Sequence, residues 1–226
     1  HDDIGWTFAD EDAAEFGIDG YYHRRFLNDF YVERFPGSFS HGVPFQENPK
    51  TGDARITGTT ASLAGVEKGD PHGEDRVILA HAVAMSTGGL PLLYLGDEVG
   101  QLNDYYYRNR PAEADDSRWV HRPHRPEGAY AAKDNPQAMS GRIFSRMTRL
   151  IRVRKETPEF AGNELIPFDT GHESVLGYQR PGDDVVVLVL ANFGDYPVHI
   201  PSQTLSGFEP QARDLIADTT ISINNG

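Results

Sequence analysis

The sequence predicts an α/β chain that closes with a small antiparallel β-domain, and three observations carry that prediction. Residues 73–87 read as an apolar helix, Gly88 and Gly89 stop it, and the short apolar run 90–95 follows at once. A helix, a tight turn and a strand apolar on both faces make half of an α/β repeat with a covered parallel strand. After Pro158 the composition changes to valine-rich runs separated by turn residues, the pattern of a β-domain. The chain also opens on His1-Asp2-Asp3-Ile4-Gly5-Trp6. One imidazole, two carboxylates and an indole are poor core material, because unpaired buried charge is expensive. They suit the rim of a polar pocket at the end of a strand.

The elements follow in order. Residues 10–35 are helical and aromatic-rich, split by Gly17 and Gly20. Tyr22, Phe26 and Phe30 recur every fourth residue and so share a face, which core packing would use. Residues 36–72 are broken by proline or glycine every few positions. They predict a loop-rich insertion with one short strand near 54–57, of a length that is uncommon unless functional. Arg55 is its candidate for ligand contact, against the alternative of a solvated surface arginine. The helix 73–87 is apolar most of the way round, which implies burial against something large.

Gly96-Asp97-Glu98-Val99-Gly100 closes the run 90–95. Carboxylates at the C-terminal end of a parallel strand lie where α/β barrels place their sites; equally, Asp97 and Glu98 could cap the next turn or meet a basic neighbour. The irregular stretch 101–136 sets Tyr105-Tyr106-Tyr107 beside Asp115-Asp116-Ser117-Arg118-Trp119 and two histidines. Rings beside Asp, Arg and His suit sugars, and suit protein interfaces as well.

Residues 137–156 form a helix with Met139, Ile143, Met147, Leu150 and Ile151 as its apolar stripe, ended by Thr157-Pro158. Its arginines should meet acidic neighbours. Beyond it, strands are expected at 174–179, 185–191, 198–200 and 219–223, with a domain boundary near Thr157. That is fewer strands than a β-sandwich needs, so a C-terminal continuation is expected.

Composition narrows the function. With 226 residues, 38% hydrophobic and 24% charged, the chain has the make-up of an ordinary globular protein. A formal net charge of −13 argues against nucleic acid or an anionic membrane as the main partner, since both need a basic patch. The arginine-rich helix 137–156 does not reverse this. No cysteine is present, so disulfides and thiolate metal sites are excluded. No run of about 18 apolar residues predicts a membrane span. A first residue of His rather than Met leads to the expectation that the native N-terminus lies upstream, with the compartment, cytoplasmic or secreted, left open.

Several of these stretches together resemble the α-amylase superfamily of glycoside hydrolases and transglycosidases (glycoside hydrolase family 13). His1-Asp2 is similar to its last signature motif, residues 89–100 to its eighth barrel strand, and the helix ending Leu150-Ile151-Arg152-Val153-Arg154-Lys155 to its final helix. His1 to Phe8, Gly42-Val43-Pro44-Phe45-Gln46, Gly88 to Asn103 and Asp115 to Trp119 resemble the amylosucrase subfamily. The resemblance implies the C-terminal part of a (β/α)8 TIM barrel over 1–157. Within it, an insertion follows strand seven over about 4–69, and helix seven, strand eight and helix eight occupy about 73–157. An incomplete antiparallel β-sandwich would fill 158–226. It also implies glucosyl transfer from sucrose to an α-1,4-glucan with release of fructose.

The same resemblance implies residue roles. Asp2 would be the carboxylate that stabilises the transition state. His1, Asp3, Arg55 and Arg118 would bind substrate. Arg118 would do so by closing the pocket floor with an upstream aspartate. Gln46, Asp97 and Glu98 are further candidates. The nucleophile and acid/base would lie in the upstream part of the barrel, so this chain alone should be inactive. No metal and no cofactor are implied. A sucrose hydrolase of the same subfamily and a carbohydrate-binding piece without catalysis are the competing expectations.

Overall fold

A computed structural model describes residues 3–223, which fall into two compact units. The first comprises residues up to 77 and 93–145, the second 78–92 and those from 146 onward. The expected boundary near Thr157 therefore falls inside the second unit.

The first unit is built on a three-stranded antiparallel sheet of order β1-β3-β2. Its strands are β1 (Asp3–Ile4), β2 (Val43–Phe45) and β3 (Arg55–Thr57). The strand expected at 54–57 is its central member. Asp3 pairs with Thr57 and Ile4 with Ile56. Val43 pairs with Thr57, Pro44 with Ile56 and Phe45 with Arg55. The run that begins at Asp3 thus pairs with a strand from the proline- and glycine-broken stretch 36–72 in an antiparallel ladder.

Two helices precede β2, α1 (Asp10–Glu15) and α2 (Gly20–Tyr31), and Gly17 and Gly20 separate them as the sequence implies. The Asp19 carboxylate caps α2 by accepting from the backbone N–H of Tyr22 at 3.0 Å, which satisfies one orphan donor. The aromatic stripe of α2 is a correction to the core-packing expectation. Tyr22 is 70% and Phe26 38% exposed. The rings pack edge-on against each other's neighbours, Phe26 on Phe35 at 4.9 Å and Phe30 on Phe39 at 5.1 Å. The buried side chain of α2 is polar: Asn28 accepts from the Trp6 indole N–H at 2.7 Å. A satisfied amide can be buried, so ring periodicity alone pointed to the wrong face.

Close approach fixes Gly42 ahead of β2. Its N–H donates to the Tyr31 carbonyl at 2.7 Å. A Cβ there would meet Ile56 Cγ2 at 2.7 Å and both Leu63 Cδ2 and the Tyr31 carbonyl at 2.8 Å. Gly42→Ala is expected to destabilise the protein by about 1–3 kcal/mol through overpacking, read as a lower urea midpoint with an unchanged m-value. The short helix α3 (Thr60–Leu63) follows β3.

Helix α4 spans Gly73–Ser86, within a residue of expectation. Gly73, Val77, His81 and Met85 form its buried face, while Ala80 and Ala84 are exposed. Burial is thus one-sided rather than all round. The run 90–95 departs further from expectation: it forms no strand, and Leu90, Leu92 and Leu95 are 99%, 82% and 68% exposed. A parallel strand needs hydrogen-bonding neighbours, and no strand among the described residues pairs with it.

After the irregular stretch, with α5 (Glu127–Ala131) inside it, comes α6 (Met139–Glu156). Ile143, Met147 and Leu150 are buried as its stripe requires, whereas Ile151 is 38% exposed. Its arginines find two kinds of partner. Arg142 forms a forked ion pair with Glu74 at 2.5 and 3.0 Å. Arg154 instead donates to the carbonyls of Met85, Thr87 and Gly89 at 2.7–2.8 Å. It satisfies carbonyls just before and beyond the C-terminus of α4.

The second unit contains a three-stranded antiparallel sheet, β4-β5-β6, and a hairpin, β7-β8. Strands β5 (Val175–Pro181) and β6 (Val186–Asn192) match the runs expected at 174–179 and 185–191, and β8 (Thr219–Ser222) matches the last predicted strand. The expected strand at 198–200 is not one. Strands β4 (Ile166–Pro167) and β7 (Gln211–Asp214) were not legible. One is two residues long with a proline, and the other is polar and held by its partner in the hairpin. The result is a mixed α/β chain with small antiparallel sheets.

Candidate functional site

Directly opposed residues of an antiparallel pair share a face, and side chains alternate along each strand. The register therefore puts Asp3, Thr57, Val43, Arg55 and Phe45 on one face of the first sheet, and Ile4, Ile56 and Pro44 on the other. The 3-10 turn Ser117–His121 lies against β2 and β3. The Ser117 hydroxyl donates to the Pro44 carbonyl at 3.0 Å, and the Arg118 guanidinium lies 4.7 Å over the Phe45 ring. Three predicted residues, Asp3, Arg55 and Arg118, are thereby brought to one face, although the sequence separates them by more than a hundred positions.

Asp116 starts that turn and holds Arg118. Its carboxylate accepts from the Arg118 backbone N–H at 3.0 Å, from Nε at 2.9 and 3.2 Å, and from Nη2 at 2.8 Å. Donors on the ionised form favour it. These hydrogen bonds from Arg118 hold the Asp116 carboxyl down at about 2, and Arg118 is raised in return. A bidentate fork also fixes the guanidinium plane.

Two further features mark the face. One carboxylate oxygen of Asp3, Oδ1, is buried with no hydrogen-bond partner among the described residues. His121 is 3% exposed, and its Nδ1 meets the Thr57 hydroxyl at 2.5 Å. The Tyr94 ring stands edge-on to it at 5.9 Å. Burial pushes the His121 imidazole down to about 4, with Arg122 and Arg118 acting in the same direction and Asp3 and Asp116 opposing.

The other predicted residues lie elsewhere. Gln46 is exposed and takes φ 54° just past the end of β2, a conformation costly for a non-glycine residue. Asp97 is buried, and its Oδ2 accepts from the Thr60 hydroxyl at 3.2 Å. Glu98 folds back on its own turn: Oε2 accepts from the Gly96 N–H at 2.8 Å and Oε1 from the Tyr130 hydroxyl at 2.5 Å. Gly96 takes φ 106°, so the turn needs glycine there. His1 and Asp2 lie outside the described residues. Arg55 lies beside Gly5, where an added Cβ would sit 3.8 Å from its Cγ and Nε.

Sequence reasoning missed Asp116, Thr57, Phe45 and His121 as members of the site. Asp116 and Phe45 stood in quoted motifs, and an Asx residue two before an arginine is a legible turn signal. Nothing local marked Thr57 or His121, because only the sheet brings them together. A cleft of about 420 Å³ adjoins β2: Val43 and Pro44 line it together with Arg34, His41, Tyr105 and Arg108. His41 there sits between Glu33 at 3.5 Å and Glu67 at 3.6 Å. None of the predicted site residues lines it. Among the described residues, no helix is long and apolar enough to cross a membrane. No group of three His, Cys, Asp or Glu among them could hold a metal ion.

Comparison with known proteins gives partial matches. No protein-family model matches the chain. Over 162 residues, 71% of the chain, it is 27% identical to the glucosylglycerate phosphorylase of Escherichia coli (strain K12), of which the match covers 28%. Over 127 residues, 52% of the chain, it is 23% identical to alpha-amylase 3 of Dictyoglomus thermophilum, of which 26% is covered. The chain spans about a quarter of the length of these curated relatives. The similarities point to the α-amylase-type family of glycoside hydrolases and, more generally, to carbohydrate-active enzymes.

Proposed function

We propose that the intact protein is a retaining transglucosidase of the amylosucrase type, moving a glucosyl unit from sucrose to an α-1,4-glucan and releasing fructose. The observation that carries the reading is the convergence of Asp3, Arg55 and Arg118 on one sheet face, with a buried Asp3 oxygen among them that has no hydrogen-bond partner among the described residues. A buried acceptor without a donor is costly, and a sugar hydroxyl is a donor of the right kind. Arg55 and Asp3 would line the acceptor side, His1 would bind the glucosyl ring, and Asp2 would stabilise the oxocarbenium-like transition state. Retention requires a carboxylate nucleophile and an acid/base about 5–5.5 Å apart. Both would come from the upstream part of the barrel, so the isolated chain would not turn over sucrose.

The experiment is product analysis of the intact protein on sucrose, with and without inorganic phosphate. Fructose plus glucan or maltooligosaccharides supports the proposal. Glucose and fructose alone would make it a sucrose hydrolase. Phosphate-dependent release of glucose 1-phosphate would favour phosphorolysis, which the similarity to a glycoside phosphorylase keeps as the second reading. Sucrose turnover by the isolated chain would refute the division of catalytic groups.

Arg118 carries a further prediction. In this chain Asp116 is its partner, so Asp116→Asn should leave Arg118 present but loosely oriented. Both Arg118→Ala and Asp116→Asn are expected to raise KM for sucrose more than they lower kcat, with Asp116→Asn the milder. An unchanged KM in Arg118→Ala would remove it from the pocket.

A further inference from the structure

His121 is buried against the sheet face that carries Asp3 and is bonded to the central strand of that sheet. It meets the Thr57 hydroxyl at 2.5 Å. Thr57 is fully buried and is the register partner of Asp3 on one side and Val43 on the other. The imidazole is thus tied to the central strand at the residue beside which the Asp3 carboxylate is laid down. Strand β1 is two residues long.

We propose that His121 is a positioning residue: in its uncharged form it holds Thr57, and through the β1–β3 ladder it sets the Asp3 carboxylate. The inference rests on the reading of the Asp3 face as a sugar site. The groups that face the imidazole come from several elements. Asp3 lies on β1 and Thr57 on β3; Tyr94 precedes the 97–99 turn; Asp116, Arg118 and Arg122 belong to or flank the 117–121 turn. Two cations and two anions act on it with opposite signs, so burial is the main cause that disfavours a proton on the ring. The direction in which burial moves His121 agrees with an uncharged ring.

The test compares His121→Phe, His121→Asn and Thr57→Val in the intact protein. Phe keeps the ring volume without nitrogen, Asn keeps a polar atom near the Nδ1 position, and Val removes the Thr57 hydroxyl while keeping its branching. Hydrogen exchange in peptides covering 3–8 and 54–58 should speed up by about tenfold or more in His121→Phe and Thr57→Val, with α6 unchanged. His121→Asn should stay near wild type. On sucrose, the first two should lose on the order of 10- to 100-fold in kcat/KM, mainly through KM, as misplacement of a binding group does. Their double variant should be no worse than either alone, because both break one contact.

Unchanged exchange in both strands, an Asn variant as damaged as Phe, or additive losses in the double variant would overturn the proposal. If the wild-type intact protein leaves sucrose untouched, the sugar reading fails by itself and the exchange measurements still decide the role of His121.

Discussion

Asp2→Asn in the intact protein is expected to lower kcat on sucrose by roughly 10³-fold or more while leaving the fold in place. In a retaining glucosyl transfer, positive charge builds on the ring as the bond to fructose breaks. A fixed carboxylate beside it lowers the barrier without forming a bond, and the neutral amide has nearly the same shape but no charge. The loss should therefore appear in kcat, with KM little changed, since the charge it answers exists only in the transition state. Circular dichroism and the thermal midpoint should match wild type. A variant with near wild-type kcat would take Asp2 out of the role that its resemblance to the family motif implies.

Acidification from pH 7 to pH 4 is expected to cost the fold about 3 kcal/mol at His121 alone. The imidazole is held down at about 4 by burial, below its ordinary 6.5. Above 6.5 both folded and unfolded chains carry it uncharged, and the full stability is present. Between 6.5 and 4 the unfolded chain takes up a proton that the folded one refuses, so stability falls as pH falls. Below about 4 both states are protonated and this contribution is flat. Asp116, held down at about 2, loses its contribution only at lower pH, from 3.8 downward. As the pH drops through 7, 5.5 and 4, the urea midpoint of wild type should fall relative to that of His121→Asn, which has no imidazole to protonate. Parallel midpoints across that window would show that His121 is not buried uncharged.

Periodicity and punctuation made much of the local structure legible. Gly17, Gly20, the Gly88-Gly89 pair and Thr157-Pro158 mark helix limits, because glycine and proline act through their own backbone geometry and need no neighbour. Helices α4 and α6 and strands β5 and β6 follow from apolar spacing for the same reason. The run 90–95 reads as a strand from its side chains, yet strand identity lies in hydrogen bonds to another strand, which composition does not record. The stripe of Tyr22, Phe26 and Phe30 shows the same limit: spacing fixes which residues share a face, and the partners on that face decide whether it is core.

Among the candidate residues, the sequence by itself determined which chemistries were present: His1-Asp2-Asp3, an arginine at 55 and the Asp116-Ser117-Arg118 turn. It also settled that Asp116 and Arg118 are neighbours, since a two-residue separation leaves little choice. Only the tertiary structure decided that Asp3, Arg55, Arg118 and His121 belong together. That outcome depends on the β1–β3–β2 register, and shifting one strand by a single residue would turn every one of its side chains to the opposite face. Register is set by long-range pairing over about fifty residues of insertion, and no local sequence signal encodes a contact across that distance.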